Sequence, residues 1–205
     1  MQDKLIPPEI KGKNTDLETS VELETIGEAM DTFKRAHKRM LNPPLWHKLC
    51  GPASAEFILT GETDVEEHRL AKKGDHFRID IPGPGPSAGG GYDWVKLESV
   101  EDDANPGTDE ESCGIKLRAA ARPGEEDNGT AHFFNAEATS SFIIQRKGKK
   151  VTASYHGRNE IPNTDTTKTS DKIRNSVVAM GAYAFLSELQ WSALIKGFLE
   201  KEIGG

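Results

Sequence analysis

The chain has 205 residues, 35% of them hydrophobic and 29% charged, which is the balance of a soluble folded domain rather than of a disordered chain. A formal net charge of -7 argues against nucleic acid or an anionic membrane as the main partner, because both reward clustered Lys and Arg. Cys50 and Cys113 have no neighbours at disulfide-framework, redox or metal-ligand spacing, so reduced thiols are expected. The histidines (His37, His47, His68, His76, His132 and His156) are spread along the chain without paired-ligand spacing, and neither a metal nor a cofactor is expected.

Residues 1–15 are polar, contain Pro7 and Pro8, and read as a flexible arm. They lack the apolar run of a signal peptide, which predicts the cytoplasm. Residues 20–24 (SVELE) alternate as a short strand. Thr25 and Glu28 form a capping box ahead of a helix on which Ile26, Met30, Phe33, His37 and Leu41 share a face. Asn42-Pro43-Pro44 ends that helix, 45–49 (LWHKL) supplies a second short helical piece, and Cys50-Gly51-Pro52 turns the chain.

From there the period changes to two. Residues 55–60 and 76–81 are predicted strands, the second with Phe77, Ile79 and Ile81 facing one way, and a weak strand is expected near 68–71. The Gly-rich stretch 82–91 is followed by strand-like sequence and by no Lys-Ser or Lys-Thr, so it is a loop and not a phosphate cradle. Residues 92–100 place Val95 and Leu97 opposite Trp94, Lys96 and Glu98. The acidic run from Glu101 to Glu111 is interrupted by Asn105-Pro106-Gly107 and reads as a solvated loop, not a calcium site. In 113–122, Ile115, Leu117, Ala119 and Ala121 oppose Lys116, Arg118 and Arg122, so one face is core and the other water. Strands at 130–134, 142–146 and 151–156 complete the set, with turns at Asn128-Gly129 and Lys147-Gly148. Arg146, Lys147, Lys149 and Lys150 at the last turn read as solvated charges.

The remaining long element is a helix predicted over 170–202. Ser170 and Asp171 are N-cap residues, and Ile173, Val177, Met180, Ala184, Trp191, Ile195 and Phe198 recur at helical spacing. At ~1.5 Å per residue it would be about 48 Å long. Residues 177–186 carry no charge on any side, which implies burial on more than one side. That run is about half of the ~20 residues a bilayer requires, so no membrane insertion is expected. Consecutive hairpins imply an antiparallel sheet whose apolar face must be covered, and this helix is the one large cover on offer. The expected fold is α+β: a curved antiparallel sheet wrapped around a long C-terminal helix, with two short helical pieces near the N-terminus.

This layout, together with the phrases KKGDHFRIDIPG, YDWVKLESVEDD, FIIQRKGKKVTASYHGRN and ALIKGFLEKE, resembles the START-like helix-grip superfamily, which includes polyketide cyclases and plant pathogenesis-related ligand binders. The resemblance runs from about residue 20 to the end and implies a single helix-grip domain over 16–205. The chain departs from a minimal version in its long terminal helix and in the larger loops at 82–91 and 102–111. The resemblance implies a cavity between sheet and helix for a lipid, a sterol-like molecule or a polycyclic aromatic. It transfers no catalytic residue.

The expected ligand-contacting residues are Phe57, Phe77, Ile79, Leu117, Tyr155, Gly181 and Phe185. The small residues Ala179, Gly181, Ala182 and Ala184 either leave space beside the helix or allow close packing. The most reactive local group is Tyr155-His156-Gly157-Arg158-Asn159-Glu160, a phenol, an imidazole, a guanidinium and a carboxylate at a strand end. If Val151, Ala153 and Tyr155 face the cavity, period two sends His156 and Arg158 to solvent, and a slip of one residue reverses this. No G-x-S-x-G elbow supports nucleophilic chemistry. Three functions stay open: binding or transport of a hydrophobic small molecule, without turnover; a cyclase or hydratase using Tyr155, His156 or Arg158; and a structural or interaction protein with a filled core.

Overall fold

The computed structural model describes residues 2–51, 54–81, 89–105, 107–125, 130–163 and 182–202. A short helix α1 (Gln2–Leu5) precedes β1 (Lys13–Glu22), α2 (Ile26–Met40), a 3-10 turn (Pro43–Leu45) and α3 (Trp46–Cys50). Six further strands follow: β2 (Glu56–Thr60), β3 (His76–Asp80), β4 (Asp93–Asp103), β5 (Glu110–Ala119), β6 (Thr139–Lys147) and β7 (Lys150–Glu160). The last helix, α4 (Ala182–Leu199), packs against β1, β7, α2 and α3. All strand pairings are antiparallel, in the order β1-β7-β6-β5-β4-β3-β2. Thus β2 to β7 form a simple meander, while β1 closes the far side of β7. This is the α+β helix-grip arrangement expected from the order of the elements.

The capping box forms as expected: Glu28 N donates to Thr25 Oγ1 at 3.1 Å, and Thr25 N donates to Glu28 Oε2 at 3.0 Å. The buried face of α2 is not the expected one. Ala29, Phe33, Ala36 and Met40 point inward, whereas Ile26 is 47% exposed and His37 only half-buried. Two alanines on this face let the helix lie close to its neighbours, a preference that ranking by side-chain size overlooks. Arg39 also turns inward, towards the C-terminal carbonyls of α4.

One half of the interior is filled around Trp46, which is fully buried. Its ring centroid lies 5.2 Å from that of Phe57, 5.6 Å from Phe77, 5.3 Å from Phe142 and 6.1 Å from Phe198. Its indole N–H donates to the Arg39 carbonyl at 3.0 Å, so the ring is buried without an orphaned donor. Each such aromatic contributes about 1.5–3 kcal/mol on burial.

Several expectations give way. The first fifteen residues are not a loose arm along their length: Leu5 is buried against Gly114, Ser141 Oγ donates to the Leu5 carbonyl at 2.6 Å, and β1 starts at Lys13, well before residue 20. A side chain at 114 would approach Leu5 Cδ1 to 2.5 Å, so the glycine is what admits α1 to the outer face of the sheet. Trp94 lies on the face opposite Val95 yet is fully buried, because Gly89 and Ala131 cover it and its N–H donates to the Gly89 carbonyl at 3.0 Å. Residues 130–134 are not a ladder strand but an irregular segment with one isolated bridge, Phe134 to Pro162, and 68–71 pair with nothing in the sheet.

Arg146 is not a solvated turn charge. It is 1% exposed and paired with Glu111 at 2.5 Å, and it also donates to the Thr108 and Gly148 carbonyls at 2.6 and 3.1 Å. Composition of the turn suggested solvent, but position 146 has the same parity as Phe142 and Ile144 and therefore faces inward. The predicted start of the last helix, the turn at Asn128-Gly129 and most of the Gly-rich loop lie outside the described residues.

Candidate functional site

The other half of the interior is a cavity of about 430 Å³. Phe57, Ile79, Val95 and Leu117, from β2 to β5, form its sheet wall. His132, Phe133 and Phe134 form one end, and Leu189, Trp191 and Ala193 of α4 form the lid. Trp191 divides the empty half from the filled one: it stacks on Tyr155 at 5.3 Å and meets Phe142 edge-on at 5.5 Å. Irregular backbone builds the His132 end. Phe133 N donates to Asp93 Oδ1 at 2.9 Å, and Asn163 Nδ2 donates to the carbonyls of Thr130 and His132 at 2.9 and 3.0 Å. His132 Nδ1 in turn accepts from Phe134 N at 3.0 Å, and the His132 ring stacks on Phe133 at 4.2 Å.

The cavity has one strongly polar corner, made by Ser140, Tyr155 and Glu160. The Tyr155 hydroxyl lies 3.3 Å from Glu160 Oε1 and 3.2 Å from Ser140 Oγ, and Thr15 Oγ1 reaches Glu160 Oε2 at 3.5 Å. Burial pushes the Glu160 carboxyl up to about 7, against the pull of Lys13 and of the Tyr155 and Thr15 hydroxyls, while Glu188 raises it further. Burial and then the neighbouring Glu160 charge hold the Tyr155 phenol well above its ordinary value, so it is a hydrogen-bond donor and not a phenolate. Lys13, whose charge acts on Glu160, is itself paired with Glu188.

Simple alternation would turn Glu160 away from Tyr155. It returns to the cavity because Asn159 takes a left-handed backbone (φ 56) and the pairing of β1 with β7 shifts register between Lys13 and Thr15. The N-terminal segment holds this irregularity in place. Ile10 N donates to Asn159 Oδ1 at 2.8 Å, Asn159 N donates to Glu9 Oε2 at 2.9 Å, and Asn159 Nδ2 reaches the Pro8 carbonyl at 3.3 Å. Space for the carboxyl comes from Gly157, where a Cβ would collide with Glu160 Oε1 and come within 3.0 Å of the Tyr155 hydroxyl.

Of the residues expected at the site, Phe57, Ile79, Leu117 and Tyr155 line the cavity. Phe77 instead packs edge-on against Trp46 in the filled half, and Gly181 and the Phe185 side chain lie outside the described part of the molecule. His156 and Arg158 do not join Tyr155. Both turn to the other face of β7, where they meet Asp16 Oδ1 at 2.5 and 2.7 Å. Burial raises the Asp16 carboxyl, but hydrogen bonds and charge from Arg158 and His156 outweigh it and leave the group below its ordinary value. The His132, Phe133 and Phe134 wall had no period-two signal to reveal it; the run of three consecutive aromatic rings was the available clue.

Cys50 lines the cavity and burial pushes its thiol up to about 12, which leaves it a weak nucleophile. Among the described residues, no group of three or more His, Cys, Asp or Glu side chains converges as a metal site, and no helix is long and apolar enough to cross a membrane.

No protein-family model matches the chain, and no curated protein matches it by sequence. Among solved structures it is similar to the major latex-like protein 151 of Panax ginseng, with 10% identity, a TM-score of 0.42, and coverage of 92% of this chain and 100% of that one. It is also similar to protein Ms6760 of Mycobacterium smegmatis (18% identity, TM-score 0.42, 91% of each chain) and to a truncated norcoclaurine synthase of Thalictrum flavum (12% identity, TM-score 0.37, 96% of this chain and 100% of that one). Likeness at this level does not bear on ligand or reaction. By its own strand order and by the packing of α4 against β1 and β7, the chain has the helix-grip architecture of START-like proteins.

Proposed function

We propose that this chain binds or carries a hydrophobic small molecule in the cavity between its sheet and α4. The observation that carries the reading is the division of the interior: aromatic side chains fill the half around Trp46, while the half beside Trp191 leaves a partly open space of about 430 Å³ among the described residues, between largely apolar walls and with Ser140, Tyr155 and Glu160 at one corner. Well-packed interiors do not keep voids of that size without an occupant, and an apolar cavity with a few convergent polar groups is the usual form of a small-molecule site. The two unpaired cysteines fit the reducing cytoplasm as its location. Turnover would have to rest on Tyr155 and Glu160, since His156 and Arg158 are committed to Asp16 on the opposite face.

The test is titration of the protein with the neutral apolar dye N-phenyl-1-naphthylamine, alongside native mass spectrometry of freshly purified material. Saturable binding is expected, and Val95→Phe, which projects a ring into the space, should weaken it with little change in melting temperature. A filled interior would instead give no dye binding and a loss of about 1–3 kcal/mol from overpacking in the same variant. That outcome overturns the reading and leaves a structural core.

A further inference from the structure

Glu160 is the one acidic side chain among the residues that line the cavity, and three independent features of the chain bring it there. Asn159 adopts a left-handed backbone that residues other than glycine rarely take. Glycine at 157 leaves the room that the Glu160 carboxyl takes, since a Cβ there would push the carboxyl aside. Residues 8–11 dock on Asn159 from the outside and hold the turn. Asn tolerates this conformation better than most residues other than glycine, and the contacts from residues 8–11 fix it so that the next side chain enters the cavity.

The surroundings of the carboxyl define what it lacks. Both of its oxygens face hydroxyl groups, Tyr155 on Oε1 and Thr15 on Oε2, which serve an anion as donors. Among the described residues, no cation forms an ion pair with it. Lys13 of β1 forms an ion pair with Glu188 of α4, and Arg158 of β7 points to the outer face, where it holds Asp16 and the Thr15 carbonyl. His132 lines the same cavity but is engaged with Phe134 N, and Cys50 stays a neutral thiol. A carboxyl removed from water without a counter-charge must keep a proton or receive a cation from whatever enters the cavity.

We propose that Glu160, framed by Tyr155 and Thr15, makes the polar corner a receptor for a protonated amine carried by an otherwise apolar ligand. The inference rests on the ligand-binding reading above and deepens it. Ligand apolar groups occupy the walls formed by Phe57, Ile79, Leu117 and Trp191, while the ammonium lies against Glu160 and supplies the missing charge. Ligands that end in a carboxylate are rejected, because the corner would then hold two like charges in an apolar setting. Raised to about 7 in the empty protein, Glu160 is ready to ionise at neutral pH when a cation arrives.

A matched series separates the possibilities: dodecylamine, dodecanol and dodecanoate, each displacing N-phenyl-1-naphthylamine from the wild type and from Glu160→Gln at about pH 8 and about pH 5.5. The amine should bind the wild type at least about tenfold more tightly than the alcohol at the higher pH, with dodecanoate weakest. In Glu160→Gln the lead of the amine over the alcohol should disappear. For the wild type the lead of the amine should shrink at the lower pH, where Glu160 keeps its proton. Equal binding of amine and alcohol to the wild type, or an amine lead that survives Glu160→Gln, overturns the assignment while leaving ligand binding intact. If neither the dye nor any member of the series binds, the binding reading fails and this inference fails with it. The wild-type comparison stands on its own should the variant fold poorly.

Discussion

Arg39 Nη1 donates to the carbonyl oxygen of Gly197 at 2.7 Å, joining the end of the first long helix to the last turn of the final one. It also reaches the Glu200 carbonyl, and Arg35 Nε donates to the same oxygen at 3.0 Å. A helix C-terminus leaves its last carbonyls without intrahelical donors and carries a partial negative charge, so two guanidiniums satisfy it both chemically and electrostatically.

Replacing Arg39 by Met keeps the bulk of the side chain and removes the donors. Because Arg39 is 7% exposed, the carbonyls it serves have little water to turn to. The expected loss is about 2–4 kcal/mol, read from urea unfolding, whereas Lys38→Met on the exposed side of the same helix should change stability by less than about 0.5 kcal/mol.

The Arg146 and Glu111 pair should behave asymmetrically. With both side chains almost fully buried, Arg146→Met alone strands the Glu111 carboxylate and should cost about 3–5 kcal/mol. Arg146→Met combined with Glu111→Leu should recover most of that loss. A double variant no better than the single would show that the bonds from Arg146 to the Thr108 and Gly148 carbonyls matter more than the ion pair.

Gly157→Ala should destabilise the protein by about 1 kcal/mol, since the new methyl group displaces the Glu160 carboxyl from the Tyr155 hydroxyl. Adding Glu160→Ala should restore much of the difference, and thermal melts of the two single variants and the double variant would measure the coupling.

Glu160 also sets a pH dependence of stability. Burial pushes its carboxyl up to about 7 in the folded chain, above the 4.5 of an exposed glutamate, so between those values the folded form keeps a proton that the unfolded form has released. Stability from this group is therefore full below about pH 4.5, falls as pH rises towards 7, and levels off above it. Glu160→Gln removes the titration, so wild type should lose about 3 kcal/mol relative to the variant on going from acid to about pH 8. Parallel stability curves for the two proteins would contradict the burial assigned to the carboxyl.

Local chemistry was the legible part of the sequence. The Thr25 and Glu28 capping box, the alternation through Ile115 and Leu117, and the Lys147-Gly148 hairpin are each set by neighbours within a few residues, and each appears in the structure. What failed depended on distant partners. Arg146 looked solvated until Glu111, from another strand, came beside it, and the alternation that set Trp94 opposite Val95 carried no sign that Gly89 and Ala131 would cover it. At the site, four wall residues follow from period two, whereas the inward turn of Glu160 needs a left-handed Asn159 that residues 8–11 stabilise from the other end of the chain.

Pairing of β1 with β7 matches Lys13 to Glu160 and Glu22 to Lys150, so the first strand finds its only ladder partner after nearly all the rest of the sheet has been made. On a ribosome, the meander from β2 to β7 can assemble as it emerges, while β1 has no ladder partner until β7 is made. Closing that long loop costs entropy before any contact returns it, which makes the step slow. The cavity corner draws Thr15 from β1 and Tyr155 and Glu160 from β7, so it cannot exist before this last pairing. A newly made chain therefore acquires its capacity for cargo late, and a hydrophobic molecule present at that moment could act as a template for closure.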